Sequence, residues 1–346
     1  MVIREYSKVE LVFSSSESEA VKIALVNLRR DLIRTLDCSV TAGGIIRILV
    51  GTVGNLPELD EKADISKLRA EDGTYRKEAF LIQEKDGELL IAGTDRRGTI
   101  YGIYDFCEWL GVSPWYFFAD VPVRRRSEAV IENGYCKVDY PSVEYRGIFI
   151  NDEEELEHWV WRYMGETTIG VKTYEKIFEL LLRLKLNYIW PAMHVNSFNL
   201  KQENGALANR MGIVVGTSHC DMLMRSNNRE WKPWLAKKGY TDVEYDFSIP
   251  GRNREILKEY WRESVEQNRD FEVSYTVGMR GIHDSGFETK SLEGLTGEKL
   301  LKAKIELLES VMAAQQEILS ETLDTDPMKT FVPYKEVLEL YDNGLK

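Results

Sequence analysis

The chain has 346 residues, and 57 acidic side chains against 45 Lys and Arg give it a formal net charge of −12. This balance, without any Lys/Arg-rich run, argues against a nucleic-acid partner. No stretch of about 18 apolar residues is present, so no membrane segment is expected. The amino terminus, MVIREYSKVELVF, lacks the pattern of a signal peptide. The chain as given is therefore expected in the cytoplasm, or as a secreted or periplasmic protein if a leader was removed.

The cysteines show no C-x-x-C spacing, which argues against a zinc or redox centre. They are Cys38, Cys107, Cys136 and Cys220. We expect them to be free, buried thiols.

Residues 1–140 are predicted to form a smaller amino-terminal α/β domain. Apolar residues at helical spacing predict its helices, and Asp86-Gly87 between two apolar runs predicts a hairpin. In chain order the elements are a strand at 9–13, a helix at 16–36, a strand at 45–50, a hairpin of 80–83 with 89–92, and a helix at 96–110. The aromatic segment 114–122, PWYFFADVP, is expected to dock on the next domain or to line a site.

Beyond a boundary near Tyr140-Pro141, apolar runs alternate with helical patterns. Strands are predicted at about 146–151, 187–192, 213–218, 273–280 and 330–334, and helices at 174–184, 298–323 and 335–345. Each run is followed by His, Asp, Glu or Arg, as in a TIM-type β/α barrel, where catalytic side chains lie at the carboxyl ends of parallel strands. Because a closed barrel has eight strands, residues 141–346 are interpreted as about its first five β/α units, so that the chain ends within the barrel. An open α/β sheet is the alternative.

Histidines follow three of the predicted strands. His194, His219 and His283 stand after the second, third and fourth strands, whereas His158 lies in the first loop. A single histidine is usually structural, but three at strand ends favour a functional site. Because no H-E-x-x-H or similar spacing is present, we expect sugar hydroxyls rather than a metal ion as their partners.

Carboxylates also follow the strands, at Asp152, Asp221, Asp284 and Glu336. Glycoside hydrolysis needs two carboxyl groups, one protonated and one ionised. A carboxylate in this position can instead cap the following helix, an alternative that suits Asp221 and residues 153–155 best. We favour function for Asp284 and Glu336.

Two further side chains at strand ends have two interpretations each. Arg280, four residues before Asp284, could bind a carboxylate substrate in a bidentate fork or hold Asp284 in an ion pair. Trp190, at the end of the second strand, could stack on a sugar or belong to the core.

At these residues the chain resembles glycoside hydrolase family 115, the xylan α-1,2-glucuronidases. The similar segments keep their order from about residue 90 to the end, whereas residues 1–90 match only in general pattern. The segments are GIYDFCEWLGVSPWYFFADVPV, YRGIFINDEEE, LRLKLNYIWPAMH, GIVVGTSHCDMLMRSNNREW, YTVGMRGIHDSGF and FVPYKEVLELYDNGL. The chain departs from the family pattern at His194 and at Cys220-Asp221.

The resemblance implies an inverting glycoside hydrolase, without a cofactor, that removes glucuronic acid or its 4-O-methyl form from xylan. By motif, Asp284 in MRGIHD and Glu336 in PYKE would be the acid/base pair, and Arg280 would help to hold the uronate. Further sugar contacts are expected from Asp152, Trp190, His194 and His219. The expected partners are glucuronoxylan or its oligosaccharides, and a homodimer is among the states that the sequence allows. The alternative is a truncated, non-catalytic carbohydrate-binding fragment, and the 346-residue chain alone is expected to be inactive.

Overall fold

The computed structural model describes residues 1–150, 153–283, 285–286 and 288–345. Internal contacts group the chain into two compact units. Unit 1 comprises Met1–Arg146, Lys176–Asn187 and Arg210–Gly212, and unit 2 comprises Gly147–Glu175, Tyr188–Asn209 and Ile213–Lys346. The domain boundary near Tyr140-Pro141 stays a prediction.

Unit 1 is built on a six-stranded sheet. Its elements are β1 (Val2–Arg4), β2 (Lys8–Val12), α1 (Glu19–Leu36), β3 (Ser39–Val40), β4 (Ile46–Thr52), α2 (Pro57–Lys62), a 3₁₀ turn (Ile65–Leu68), β5 (Phe80–Lys85), β6 (Glu88–Gly93), α3 (Arg96–Leu110), β7 (Glu128–Val130) and β8 (Cys136–Asp139). The sheet order is β3-β2-β4-β6-β5-β8. The first four of these strands are parallel, and β5 is antiparallel to both of its neighbours. Strands β1 and β7 form a separate antiparallel pair.

Two local signals in the amino-terminal sequence are confirmed. Asp86 and Gly87, between β5 and β6, both have positive φ (53° and 81°), as a type I′ hairpin turn requires. Helix α3 has the predicted bounds, because the Asp95 side chain caps its first turn and Gly111 ends it in the left-handed conformation.

The cysteines are all free thiols, and three of them are buried. Cys136 is exposed, which corrects the expectation that all four would be buried. It lies on β8, an edge strand of the sheet, where one side has no neighbouring strand to cover it.

The aromatic segment 114–122 is anchored within unit 1 by Tyr116. The Tyr116 hydroxyl donates a hydrogen bond to Glu179 at 3.0 Å, and the guanidinium carbon of Arg30 lies 5.1 Å from the centre of its ring. Trp115 is 45% exposed. The docking of this segment on the next domain stays a prediction.

Unit 2 contains the second set of strands. Its elements are β9 (Gly147–Phe149), α4 (Glu153–Trp159), a π-helical turn (Val160–Met164), α5 (Val171–Arg183), β10 (Tyr188–Trp190), 3₁₀ turns (Phe198–Leu200 and Lys290–Leu292), α6 (Gln202–Met211), β11 (Val214–Val215), β12 (Asp221–Met222), β13 (Arg225–Ser226), α7 (Trp231–Lys238), α8 (Arg252–Asn268), β14 (Tyr275–Val277), α9 (Gly297–Thr322), β15 (Lys329–Phe331) and α10 (Glu336–Asp342). Helices α5 and α6 each have residues in both units. None of the helices in the described ranges is both long and apolar enough to cross a membrane.

Five strands of unit 2, namely β9, β10, β11, β14 and β15, run parallel. Each lies beside the next of these five along the chain. Strand β10 pairs with β9 and β11, and β14 pairs with β15. A parallel bridge between Val215 and Val273 connects the two groups. The predicted parallel order is therefore confirmed, and the fold is a mixed α/β fold. The strands of the described residues do not form a closed barrel.

The strands are shorter than predicted, for reasons visible in the sequence. Strand β10 ends before Pro191 and β15 ends two residues before Pro333, because proline has no N–H to continue a ladder. Strand β11 ends before Gly216, and the sequence does not show why. In the fold, an added Cβ at this glycine would overlap the hydroxyl groups of Tyr188 and Ser274. The shorter strands leave irregular segments at their carboxyl ends, where the candidate site lies.

Candidate active site

Arg280 and Glu336 form a bidentate ion pair at the carboxyl ends of two adjacent parallel strands. Arg280 follows β14, and Glu336 begins α10 after β15. Arg280 donates from Nε to Oε1 at 3.0 Å and from Nη2 to Oε2 at 2.9 Å. The guanidinium side chain is 1% exposed, whereas the Glu336 side chain is 22% exposed. The buried guanidinium therefore has a matched partner, and that partner is partly exposed to solvent.

His219 and Tyr334 extend this pair toward β11. Their ring centres lie 4.2 Å apart, and the Arg280 guanidinium carbon lies 5.5 Å from the centre of the Tyr334 ring. His219 Nδ1 lies 2.8 Å from the Ser218 hydroxyl oxygen. The ends of β11, β14 and β15 thus meet in one cluster, as expected for parallel neighbours. Tyr334 is a member that sequence reasoning missed, although it directly precedes the Lys335-Glu336 pair.

His194 and His283 form a second contact between strand ends. His194 Nδ1 lies 2.5 Å from His283 Nε2, and His194 Nε2 lies 3.3 Å from a Glu154 oxygen. The His194 side chain is 45% exposed. The predicted histidines therefore divide into two groups, with His219 in the arginine cluster and His194 paired with His283.

Two buried side chains fix the loops that carry these histidines. Glu153, 1% exposed, accepts the backbone N–H groups of three successive residues, 193–195. Asn227 accepts from the His283 N–H at 2.9 Å and donates to the Gly281 carbonyl at 3.0 Å. His283 has a φ of 59°, a left-handed conformation that a surrounding hydrogen-bond network must maintain. From the sequence, Glu153 was expected only as a cap of the following helix, and Asn227 was not singled out, because no local pattern distinguishes a buried clamp from its exposed polar neighbours.

Trp190 is half-buried. Its indole N–H makes a hydrogen bond, and its ring contacts a second aromatic ring. Its Nε1 donates to the Tyr188 hydroxyl at 2.9 Å, and its ring meets Phe149 edge-on with centroids 5.7 Å apart. The Tyr188 hydroxyl also lies 2.5 Å from Ser274 Oγ. Trp190 is thus held in place by side chains of its own and the neighbouring strand. Its role as a stacking platform for a sugar stays a prediction.

Asp221 is a buried acid rather than a helix cap. It lies in β12, where it pairs with Ser226 of β13, and it is 8% exposed. Burial raises the pKa of Asp221 well above its usual value, and the neighbouring carboxylates of Glu230 and Glu153 raise it further. This side chain therefore favours the neutral form, and the alternative of helix capping is wrong for it.

Two predicted residues, Asp152 and Asp284, lie outside the described residues. The separation between Asp284 and Glu336, which would distinguish an inverting from a retaining pair, therefore stays a prediction. In the described part of the chain, Arg280 has Glu336 as its ion-pair partner. No group of three or more His, Cys, Asp or Glu in that part could hold a metal ion.

Comparison with known proteins decides the family. The family model for glycosyl hydrolase family 115 matches residues 138–346, which is more than half of the chain. The chain belongs to glycoside hydrolase family 115. The resemblance read from its motifs is therefore confirmed.

A solved family 115 structure matches the whole chain. It is BtGH115A, described as a 4-O-methyl-α-glucuronidase with specificity for decorated arabinogalactans, and it has 33% sequence identity and a TM-score of 0.86. The match covers 100% of this chain and 44% of BtGH115A, so the chain spans less than half of that relative.

A second solved structure shows only the fold. This protein, a GH138 enzyme targeting pectin rhamnogalacturonan II, has 13% identity and a TM-score of 0.50 over 96% of this chain and 36% of its own. No curated protein matches the chain.

Proposed function

We propose that the protein is a glycoside hydrolase that removes glucuronic acid or its 4-O-methyl form from glucuronoxylan. Family 115 membership and the likeness to a 4-O-methyl-α-glucuronidase support the reaction class. The observation that carries the proposal is the Arg280–Glu336 pair at the carboxyl ends of adjacent parallel strands. It places a partly exposed carboxylate beside a buried guanidinium at the strand ends, where β/α-barrel enzymes carry their catalytic groups.

In this proposal the five parallel strands belong to a TIM-type β/α barrel whose carboxyl edge carries the site. Asp284 and Glu336 act as the acid/base pair of an inverting mechanism, in which one protonates the leaving oxygen and the other activates a water. The reaction needs no cofactor. Sugar contacts come from residues after the first three strands, namely Asp152, Trp190, His194 and His219.

Two tasks are proposed for Arg280. Its Nε and Nη2 hold both oxygens of Glu336, so it orients a proposed catalytic carboxylate. The family resemblance implies a second task, in which the rest of the guanidinium helps to hold the uronate. Arg280→Ala should therefore raise KM for the glycan through lost uronate binding and lower kcat through a less ordered Glu336.

The experiment that tests the proposal follows the stereochemistry of glucuronate release. The intact gene product is incubated with glucuronoxylan, and proton NMR records the first anomer that appears. An inverting enzyme acting on an α-linkage releases the β-anomer first. Initial release of the α-anomer would contradict the inverting mechanism, and no release at all would contradict the substrate.

A non-catalytic carbohydrate-binding role for this 346-residue chain is the second candidate. In that role the same Arg280–Glu336 pair at the strand ends would hold a glycan without cleaving it. The two candidates separate in one titration with a glucuronoxylan oligosaccharide, since binding without release supports only the second.

A further inference from the structure

One short segment, residues 226–230 at the end of β13, contacts both of the segments that carry the paired histidines. On the β14 side, Asn227 accepts the His283 N–H at 2.9 Å. On the β10 side, Glu230 Oε1 accepts a hydrogen bond from the Ser197 hydroxyl at 2.6 Å. The five residues therefore connect the ends of β10 and β14, which are separated in the sheet by β11.

The connection to the segment after β10 has two further contacts. Asn228 donates from Nδ2 to the His194 carbonyl at 3.4 Å. The buried Asn199 donates from Nδ2 to the Met224 carbonyl, in the turn between β12 and β13, at 2.6 Å. The backbone on both sides of Ser197 is thus bound to the same hairpin.

Glu230 is the charged group at the centre of these contacts. It is 3% exposed, and its Oε2 accepts from Arg225 Nη1 at 2.8 Å, whereas its Oε1 also accepts the Ser226 N–H at 3.1 Å. A buried carboxylate with a guanidinium partner and a backbone donor has a well-defined position. The Ser197 hydroxyl therefore binds to an acceptor that is already fixed.

Tyr260 of α8 anchors this arrangement in the core. Its hydroxyl donates to the Ser226 carbonyl at 2.8 Å, and its own carbonyl accepts from Arg225 Nε at 3.2 Å. The Tyr260 side chain is fully buried, and the Arg225 guanidinium carbon lies 4.6 Å from the centre of its ring. Residues 225–230 are therefore held by a packed helix and do not depend on the loops that they contact.

The position of His194 depends on both ends of its segment. Glu153 holds the backbone N–H groups of residues 193–195, and Glu230 holds Ser197, three residues after His194. The 2.5 Å contact between His194 and His283 tolerates little displacement, because hydrogen bonds weaken steeply once their geometry is lost.

We propose that Glu230 is a positioning residue of the site. By fixing Ser197 it sets the place of His194 relative to His283, and with it the affinity for the glycan. This inference rests on the proposed function for the identity of that glycan. Because His194 is assigned a sugar contact and no part in proton transfer, loss of the Glu230–Ser197 bond should weaken binding and leave turnover nearly unchanged.

The variant that tests this inference is Ser197→Ala. It removes the bond to the loop and leaves Glu230 with Arg225 and Ser226, so no buried charge loses its ionic partner. In the intact gene product, KM for glucuronoxylan oligosaccharides should rise about threefold to tenfold, with kcat changed by less than about twofold, as expected for one lost hydrogen bond that acts on binding.

Two further variants make this result specific. Ser197→Thr keeps a hydroxyl and should restore most of the affinity. Ser310→Ala is the matched control, because the exposed Ser310 hydroxyl bonds only to the backbone of its own helix, α9, and KM should stay at the wild-type value. An unchanged KM in Ser197→Ala, or a fall in kcat as large as the rise in KM, would overturn the positioning role.

A second measurement does not depend on turnover. The 346-residue chain has four histidines, so NMR of histidine-labelled protein can follow each ring. The rings of His194 and His283 have centres 4.5 Å apart and should give a mutual NOE. Ser197→Ala should weaken this NOE and shift the His194 ring signals, while the His158 signals stay in place.

An unchanged NOE together with unchanged His194 signals in Ser197→Ala would overturn the inference. Absence of glucuronate release by the intact wild-type protein, together with a weakened NOE in the variant, would contradict the proposed function and leave the positioning of His194 by Glu230 standing.

Discussion

His194 and His283 are 89 positions apart in the sequence, yet their ring nitrogens lie 2.5 Å from each other. They come from segments after β10 and β14, which are separated in the sheet by β11. The approach of the rings depends on two clamps, Glu153 on one segment and Asn227 on the other. The candidate site is therefore organised by buried polar groups as much as by the strands beneath it.

The first prediction concerns the Glu153 clamp. Glu153→Ala leaves three neighbouring backbone N–H groups, at residues 193–195, without their acceptor. We expect the free energy of unfolding to fall by about 2–4 kcal/mol, because buried donors that lose a charged acceptor carry the full desolvation cost. Urea unfolding measures it. Glu155→Ala, at an exposed position of the same helix, is the control and should change stability by less than about 0.5 kcal/mol. An equal effect of the two substitutions would show that Glu153 is not a clamp.

The second prediction concerns the pH dependence of stability through Glu179 in unit 1. Burial alone would raise the pKa of Glu179, but the guanidinium groups of Arg183 and Arg30 outweigh it and lower that pKa from 4.5 to about 2. A carboxyl group with a lower pKa in the folded state stabilises the fold above its unfolded pKa. This contribution is lost as the pH falls from about 4.5 to about 2, and it amounts to roughly 3 kcal/mol.

Glu179→Gln should remove this part of the acid sensitivity. Denaturant unfolding at a series of pH values between 5 and 2, the window set by that shift, measures it. Glu175→Gln, on an exposed face of the same helix, should keep the wild-type slope. Parallel stability curves for wild type and Glu179→Gln would contradict the assignment.

The third prediction concerns Gly216, at the end of β11. An alanine Cβ there would overlap the Tyr188 hydroxyl and approach Ser274 Oγ. We expect Gly216→Ala to destabilise the protein by about 1–3 kcal/mol, the usual effect of overpacking. Thermal unfolding followed by circular dichroism measures it. Gly286→Ala is the control, because an added Cβ there meets nothing within 4 Å among the described residues. The explanation also requires that Tyr188→Phe, which deletes the overlapping hydroxyl, partly rescues Gly216→Ala; a double variant no more stable than Gly216→Ala would contradict it.

Elements with strong local signals could be predicted from the sequence. The Asp86-Gly87 hairpin and α3 follow from turn and capping chemistry. Helix α1 begins at Glu19 and not at residue 16, because among several nearby serines it is Ser18 that caps the first turn. Which of several equivalent caps is used depends on packing that the sequence does not display.

The hairpin of β12 and β13 shows where such signals fail. Its turn residues, Leu223 and Met224, both have positive φ (48° and 64°), although neither is Gly, Asn or Asp. Side chains of this type rarely adopt that conformation, so no turn was predicted there. Leu223 and Met224 are fully buried, and their burial in the core compensates for the strain.

The candidate site was only partly predictable for a related reason. Parallel neighbouring strands have their carboxyl ends at the same edge of the sheet. This rule predicted that Arg280 and Glu336 lie near each other, and they form an ion pair. The same rule could not say that Arg280 would pair with Glu336, nor that His283 and not His219 would contact His194. Those contacts depend on loop conformations set by Glu153 and Asn227, which are distant in sequence from the residues that they position.

The proposed function gives Glu336 a direct part in glycoside hydrolysis. Glu336→Gln and Glu339→Gln are compared in the intact gene product by release of glucuronic acid from glucuronoxylan, with circular dichroism as the folding control. Both residues lie on α10, and Glu339 is exposed, so the two substitutions differ chiefly in their position relative to the site. We predict that Glu336→Gln lowers turnover by roughly 10²–10⁴-fold, the usual contribution of a general acid or base, while Glu339→Gln retains wild-type turnover. Near-wild-type turnover by a folded Glu336→Gln variant would contradict the claim.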